Sequence, residues 1–321
     1  MLVLALIVAV AAAAAVLVPN LDLDGAQSQA QRATGAGEGD SQAARPAVPV
    51  YPATDRAPLR LSLAATPEPI AMRFRHEPSA GLLFDLHSGR VLWQRNPTQL
   101  LPIASLTKMM TALIVVAHAK PDAPVLITRE ALAYQGSGVG VLPRGKRVQL
   151  ETLLYGLLLP SGNDAAIALA QHVAGNVPAF VSMMNSQAAK LGLKCTHFTS
   201  PDGFDDGNHS CAADLAVLAR ADLDRPRIAR VVATRAAVLP FPIKGGKLYL
   251  YNNNPLLRVP FAGLTGLKTG ETSAAGVCLV ETATRGGVQL GAIVLHSTPL
   301  DAAKQTRALL TRGFSLEARG R

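Results

Sequence analysis

Aromatic residues are scarce: Phe, Tyr and Trp make up 4% of the 321 residues. That excludes the aromatic platforms on which proteins stack exposed bases. The net charge is +9, but no run of Lys or Arg concentrates it, and Arg outnumbers Lys. Without a clustered basic footprint, nucleic acid is not an expected partner. The charge reads instead as a general preference for anionic surroundings. No internal repeat is evident. Cysteine occurs three times, at Cys195, Cys211 and Cys278.

No Lys or Arg precedes the apolar stretch LVLALIVAVAAAAAVLV (2–18), and no small-x-small cleavage site follows it in the expected place. The stretch is longer than a typical signal-peptide core and just short of a comfortable membrane span. Asp22 and Asp24 make its C-terminal side the more acidic, which favours export of the rest. Residues 1–18 are expected to be a signal peptide or an N-terminal membrane anchor, with the remainder extracytoplasmic. Residues 19–68 are rich in Ala, Gly, Gln, Ser and Pro. They are expected to form a disordered linker, because they offer little apolar surface to bury and their prolines favour extended chain. The folded domain is expected over 69–316, with 317–321 as a tail.

Hydrophobic residues make up 49% of the chain, enough for a sizeable core. AGLLFDL (80–86) and VLWQRN (91–96), separated by Ser88-Gly89, predict a β-hairpin. ASLTKMMTALIVVAHA (104–119) predicts a central apolar helix, and further helical patterns cover 150–159, 164–174, 178–191, 212–222 and 300–313. Strands are expected at 247–252, 276–284 and 288–296, the last two joined at Gly286-Gly287. Strands at both ends with helices between them predict an α+β fold. The N- and C-terminal strands would share one antiparallel sheet, with the helical region packed against it.

Three short motifs carry the chemistry. Ser105 and Lys108 stand three residues apart, on one helix face, just after Pro102. PSGNDAA (160–166) joins two helices, with Pro160 stopping the first and Asn163 or Asp164 available to cap the second. GLKTGET (266–272) is placed just before a strand. A serine hydroxyl needs an adjacent base to act as a nucleophile. A lysine serves as that base only when its pKa falls, through burial, a second cation such as Lys268, or a helix N-terminus. The helix contributes about 0.3–1 kcal/mol, so burial and the second lysine must supply most of the shift. Ser161 suits proton transfer, Asn163 a substrate amide, and Lys268 with Thr269 a carboxylate. Gly270 permits close approach of a substrate backbone. The N–H groups of Ser105 and Glu271 suit an oxyanion hole.

The order S-x-x-K, S-G-N, K-T-G resembles the low-molecular-mass penicillin-binding proteins, the serine-type D-alanyl-D-alanine carboxypeptidases. Segments such as LLFDLHSGRVLWQRNPTQLLPIASLTKMMTAL, ETLLYGLLLPSGNDAAIALAQHVAG and GLTGLKTGETSAAGVCLVETATR are similar to that family's, in order, over about residues 70–316. The resemblance implies a β-lactamase/transpeptidase-like fold, with Ser105 as nucleophile, Lys108 as its base and Ser161 in proton relay. Asn163 would position substrate, and Lys268, Thr269 and Gly270 would receive its terminal carboxylate end. Expected partners are the peptidoglycan stem peptide and β-lactam antibiotics, acting on a monomer of the cell envelope. No metal and no cofactor are expected. Glu271 departs from the family pattern, where His or another uncharged residue is usual.

A class A β-lactamase needs a glutamate between the second and third motifs. None lies between Asn163 and Lys268, so β-lactams are expected to leave a slow acyl-enzyme and inhibit. A DD-endopeptidase and a β-lactam-sensing or wall-binding domain would use the same residues. Cys195, His197, His209 and Cys211 fit either a zinc site or, more economically in an exported protein, a Cys195–Cys211 disulfide. Cys278 is placed in the core and His172 on the surface. Ser210 reads as a helix N-cap, and Asn252, Asn253 and Asn254 as strand-end turn residues that also suit a cleft wall. The family's common C-terminal β-rich domain and amphipathic anchor are not expected, which leaves membrane attachment to the N-terminal segment.

Overall fold

The computed structural model describes residues 57–63 and 69–319. The expected signal or anchor segment and most of the linker lie outside the described residues. The chain first forms the hairpin β1 (Ala80–Asp85) and β2 (Val91–Arg95), then the short strand β3 (Leu101–Pro102). A 3-10 turn at Ala104–Thr107 leads into α1 (Lys108–His118). The helical region follows as β4 (Pro124–Leu126), α2 (Arg129–Leu132), β5 (Arg147–Gln149), α3 (Leu150–Leu158), α4 (Asn163–Ala174) and α5 (Val177–Lys190). It continues through β6 (His209–Ser210), α6 (Ala212–Leu223) and α7 (Pro226–Val232), then the small hairpin β7 (Ala236–Pro240) and β8 (Lys247–Tyr251). The chain returns to the main sheet as β9 (Leu264–Thr272), β10 (Gly276–Arg285) and β11 (Val288–Ser297), and α8 (Ala302–Arg319) follows.

The five-stranded sheet runs β2-β1-β11-β10-β9, antiparallel throughout. This is the α+β arrangement in which both ends of the domain share one sheet. Side chains alternate between its faces, as strand geometry requires. Leu82, Phe84, Ile293 and Leu295 join the core shared with the helices, whereas Leu83, Ala292 and Val294 pack beneath Leu309, Leu310 and Phe314 of α8. Every residue of α1 from Lys108 to Val115 is buried. A helix apolar on all sides belongs inside, so α1 sits at the centre of the helical region. No single helix among the described residues is long and apolar enough to cross a membrane.

The structure departs from expectation at several places that matter for the site. The first turn of the predicted 104–119 helix is a 3-10 turn, and Pro102 belongs to β3, which pairs with β6. GLKTGET does not precede a strand; it is most of β9, the edge strand of the main sheet. Neither Asn163 nor Asp164 caps α4, whose N-cap position is held by Gly162. Ser210 lies in β6, and Cys211 takes the N-cap position of α6. Residues 57–63, expected in the linker, pack on the domain: Leu59 is buried, and the Ser62 N–H donates to the Gly89 carbonyl at 3.0 Å. Helix α8 runs to Arg319, past the expected boundary at 316.

Phe84 covers Gly291 across the β1–β11 ladder, and a Cβ on Gly291 would lie 2.4 Å from the ring. Gly291→Ala is expected to cost about 1–3 kcal/mol by overpacking. Adding Phe84→Leu should then cost less than it does in the wild type, because the two sites share one space. Thermal denaturation of the four proteins measures that coupling.

Candidate active site

The turn that carries Ser105 is built under constraint. Ala104 adopts a positive φ of 47°, which a non-glycine residue seldom takes. Its carbonyl backs onto Gly203, where any Cβ would lie 2.0 Å from that oxygen. The glycine therefore permits the packing that presents Ser105 at the start of α1.

One turn on, Lys108 is fully buried. Its Nζ lies 2.8 Å from Ser105 Oγ, 2.6 Å from Asn163 Oδ1 and 2.6 Å from the Asp202 carbonyl oxygen. Three partners use all the directions an ammonium group offers. Burial pulls the lysine pKa from 10.5 down to about 7, against the opposing pull of the Asp202 and Asp164 carboxylates. Near neutral pH a large fraction of the amine is uncharged, with a lone pair available to the serine hydroxyl.

The second motif closes over this pair. Ser161 has a φ of 66°, and its buried hydroxyl has no hydrogen-bond partner among the described residues. Asn163 receives Lys108 on Oδ1 and donates from Nδ2 to the Gln135 carbonyl. The Asp164 carboxylate accepts the Val139 and Gly140 N–H groups at 2.9 and 3.0 Å. It pins the 135–140 loop against the motif, and the Asn163 N–H donates to the Ser137 carbonyl at 2.8 Å.

The edge strand β9 forms the opposite wall. Lys268 is buried and donates from Nζ to the Thr269 carbonyl at 2.7 Å. Burial, and then the Lys108 charge, hold its pKa well below 10.5, while Glu281 pulls the other way. A Cβ on Gly270 would lie 3.0 Å from both the Ile103 carbonyl and the Ser105 nitrogen. Any side chain there would press the serine turn away from the strand, by a few tenths of an ångström for a Cβ alone. A cleft of 460 Å³ remains between the walls, lined by Ser105, Ser137, Ser161, Thr269, Gly270 and Glu271 among others.

The structure thus brings Ser105, Lys108, Ser161, Asn163, Lys268, Thr269, Gly270 and Glu271 together. Sequence reasoning missed Asp202, which acts through a main-chain oxygen that every residue has. It also missed Ser137, Asp164 as the anchor of the 135–140 loop, and Glu281. Glu281 is buried on β10, accepts the Asn254 amide at 2.9 Å, and is pushed by burial up to about 8. Asn253 lines the cleft and donates to the Pro160 carbonyl at 3.0 Å, whereas Asn252 and Asn254 bond within their own turn and to its supports.

Cys195 and Cys211 form a disulfide. Their sulfurs are then unavailable as thiolate ligands, which removes the zinc reading. His197 and His209 pair through their backbones instead. The bridged segment includes Asp202, so it delivers one of the three partners of Lys108. Cys278 is buried in the core, where burial pushes its thiol up to about 12, and His172 is exposed.

A family model described as D-alanyl-D-alanine carboxypeptidase, peptidase family S11, matches residues 66–298. The chain is 32% identical over 247 residues to D-alanyl-D-alanine carboxypeptidase DacF of Bacillus subtilis, covering 75% of this chain and 63% of that protein. It is 37% identical over 248 residues to DacD of Escherichia coli, covering 72% and 62%. The chain therefore spans less than two thirds of the length of these curated relatives. Among solved structures, the Streptomyces K15 DD-transpeptidase is similar with a TM-score of 0.71 at 32% identity, covering 76% of this chain and 100% of that one.

The Lys108 environment yields a direct test. Asn163→Asp would place a carboxylate where Oδ1 now sits, 2.6 Å from the amine, and an opposite charge favours the charged lysine. The titration midpoint of the Lys108 Cε carbon, followed by NMR, should rise above about 7.

Proposed function

The chain belongs to the family of D-alanyl-D-alanine carboxypeptidases, and on that premise we propose that it removes the terminal D-alanine from peptidoglycan stem peptides through an acyl-enzyme on Ser105. The observation that carries the reading is the fully buried Lys108 amine 2.8 Å from Ser105 Oγ, with its pKa drawn down to about 7. Ser105 Oγ attacks the carbonyl of the penultimate D-alanine as its proton passes to the neutral Lys108 amine. The N–H groups of Ser105 and Glu271 receive the oxyanion, a contribution typically of about 3–4 kcal/mol per donor. Collapse of the intermediate expels the amine of the terminal D-alanine, which takes its proton from Lys108 by way of Ser161. An ester remains on Ser105, and water cleaves it with Lys108 again as base.

Lys268 and Thr269 receive the substrate carboxylate. An incoming anion favours the charged form of Lys268, whose pKa is depressed in the empty site. Asn163 holds the substrate amide while keeping Lys108 in place. A β-lactam presents a carboxylate and a strained amide in the same arrangement and acylates Ser105. The resulting ester is long-lived, because the opened ring keeps its leaving amine tethered beside Ser105, in the way of the water that Lys108 would activate, and no glutamate between Asn163 and Lys268 offers a second base. The domain acts outside the cytoplasm, in the cell envelope, and a single copy holds every site residue, in keeping with a monomer. Attachment to the membrane, by this reading, runs through residues 1–18.

The test has two arms. Wild type and Ser105→Ala are labelled with a fluorescent penicillin, and D-alanine release is then assayed on a Lys-D-Ala-D-Ala peptide. Wild type should label and release D-alanine, and Ser105→Ala should do neither. Labelling that survives the substitution would refute the nucleophile. Labelling without release would point to a β-lactam sensor or to an endopeptidase, the latter recognised by cleavage of a crosslinked dimer. Lys108 must be neutral to accept the proton, so kcat/KM should rise with pH through about 7 and level off above it. A flat profile from pH 6 to 8 would remove Lys108 as the base.

A further inference from the structure

Glu271 stands in the cleft on β9, two residues beyond Thr269, and is exposed. Among the described residues its carboxylate takes part in no ion pair. Lys108 and Lys268 lie deep in the same site. Lys268 is buried behind the wall that carries Thr269 and favours its charged form when an anion arrives, and an unpaired carboxylate stands farther along that wall. That separation of charge complements a ligand with an anionic end and a cationic group a short distance away.

The distance is set by the strand. Beta structure advances about 3.3 Å per residue, so Glu271 lies about 7 Å along the edge from Thr269. β9 is the end strand of its sheet, and among the described residues no strand pairs with its outer edge. A peptide laid along it with its carboxylate at Thr269 puts its scissile carbonyl beside Gly270 and Ser105. The residue before the penultimate D-alanine then falls beside Glu271 or Thr272. In a stem peptide that residue is a diamino acid, whose side chain carries an amine about 6 Å from its Cα. The amine is cationic when free. Once it is acylated or built into a peptide crosslink, it is a neutral amide.

We propose that Glu271 is a specificity-determining residue, selecting stem peptides whose diamino acid keeps a free, cationic side-chain amine over those in which that amine is acylated or crosslinked. This rests on the carboxypeptidase reading of the site. The pair is solvent-exposed, so the preference should be about fivefold, the upper end for an exposed ion pair.

The full-length protein is assayed on Nα-acetyl-Lys-D-Ala-D-Ala and on its Nα,Nε-diacetyl counterpart, in wild type, Glu271→Gln and Glu271→Lys. The readout is the ratio of kcat/KM between the two peptides, in which any general effect of the substitution cancels. Wild type should favour the free amine about fivefold, Glu271→Gln should bring the ratio close to one, and Glu271→Lys should invert it. A wild-type ratio near one, or a preference that persists in Glu271→Gln, overturns the proposal. Acylation rates are measured in parallel with a penicillin bearing a free amine on its acylamino side chain and with the same penicillin acetylated there. When D-alanine is released, the peptide ratio decides. When neither peptide releases it, the penicillin pair decides. Discrimination that vanishes in Glu271→Gln then upholds the charge selection while the carboxypeptidase reading falls, and no discrimination removes both.

Discussion

The Lys108 amine, buried between Ser105 Oγ, Asn163 Oδ1 and the Asp202 carbonyl, is the interaction that the rest of the structure serves. An amine is costly to strip of water unless its donors are satisfied or it gives up its proton. Here the surrounding elements arrange both. The apolar length of α1 carries the lysine into the core, α4 brings Asn163 at its first turn, and the segment bridged by Cys195 and Cys211 supplies the carbonyl. The main sheet then closes the site with β9, held in place by its ladder to β10.

The buried charges exact a cost that depends on pH, and the signs oppose one another. The folded pKa of Lys108 is about 7, below the ordinary 10.5. The unfolded chain then binds the extra proton between those values, so this lysine's penalty is absent above 10.5 and grows as pH falls towards 7. The folded pKa of Glu281 is about 8, above the ordinary 4.5. Its penalty is absent below 4.5 and grows as pH rises towards 8. Near neutral pH the fold carries both. Stability is given up where the proposed acyl transfer needs a neutral base.

Much of this was legible in the sequence. Ser105 and Lys108 meet because three residues of helical backbone bring side chains onto one face, whether the turn is 3-10 or α. The main-sheet strands β1, β2, β10 and β11 were also readable, because their apolar residues run together between clear turns. β9 was not. Its buried positions include Lys268 and Gly270, so its pattern reads as a polar loop. Asn163 and Asp164 sit where capping residues sit, and nothing local reveals that their side chains are engaged by α1 and by the 135–140 loop. The positive φ of Ala104 leaves no trace in residue type, since Gly203, which makes room for it, lies far along the chain.

The close packing of Gly270 on the serine turn also governs how the site can change over generations. Any side chain at Gly270 presses on the backbone of Ile103, Ser105 and Leu106, and Lys268 is locked into the interior. Of the four successive residues from Lys268 to Glu271, Gly270 packs on the backbone of Ser105 and Lys268 fills the interior, whereas Thr269 and Glu271 face the cleft. Change in what the cleft accepts is thereby easiest at alternate positions of a single strand edge, where a new side chain meets solvent and ligand rather than packed backbone.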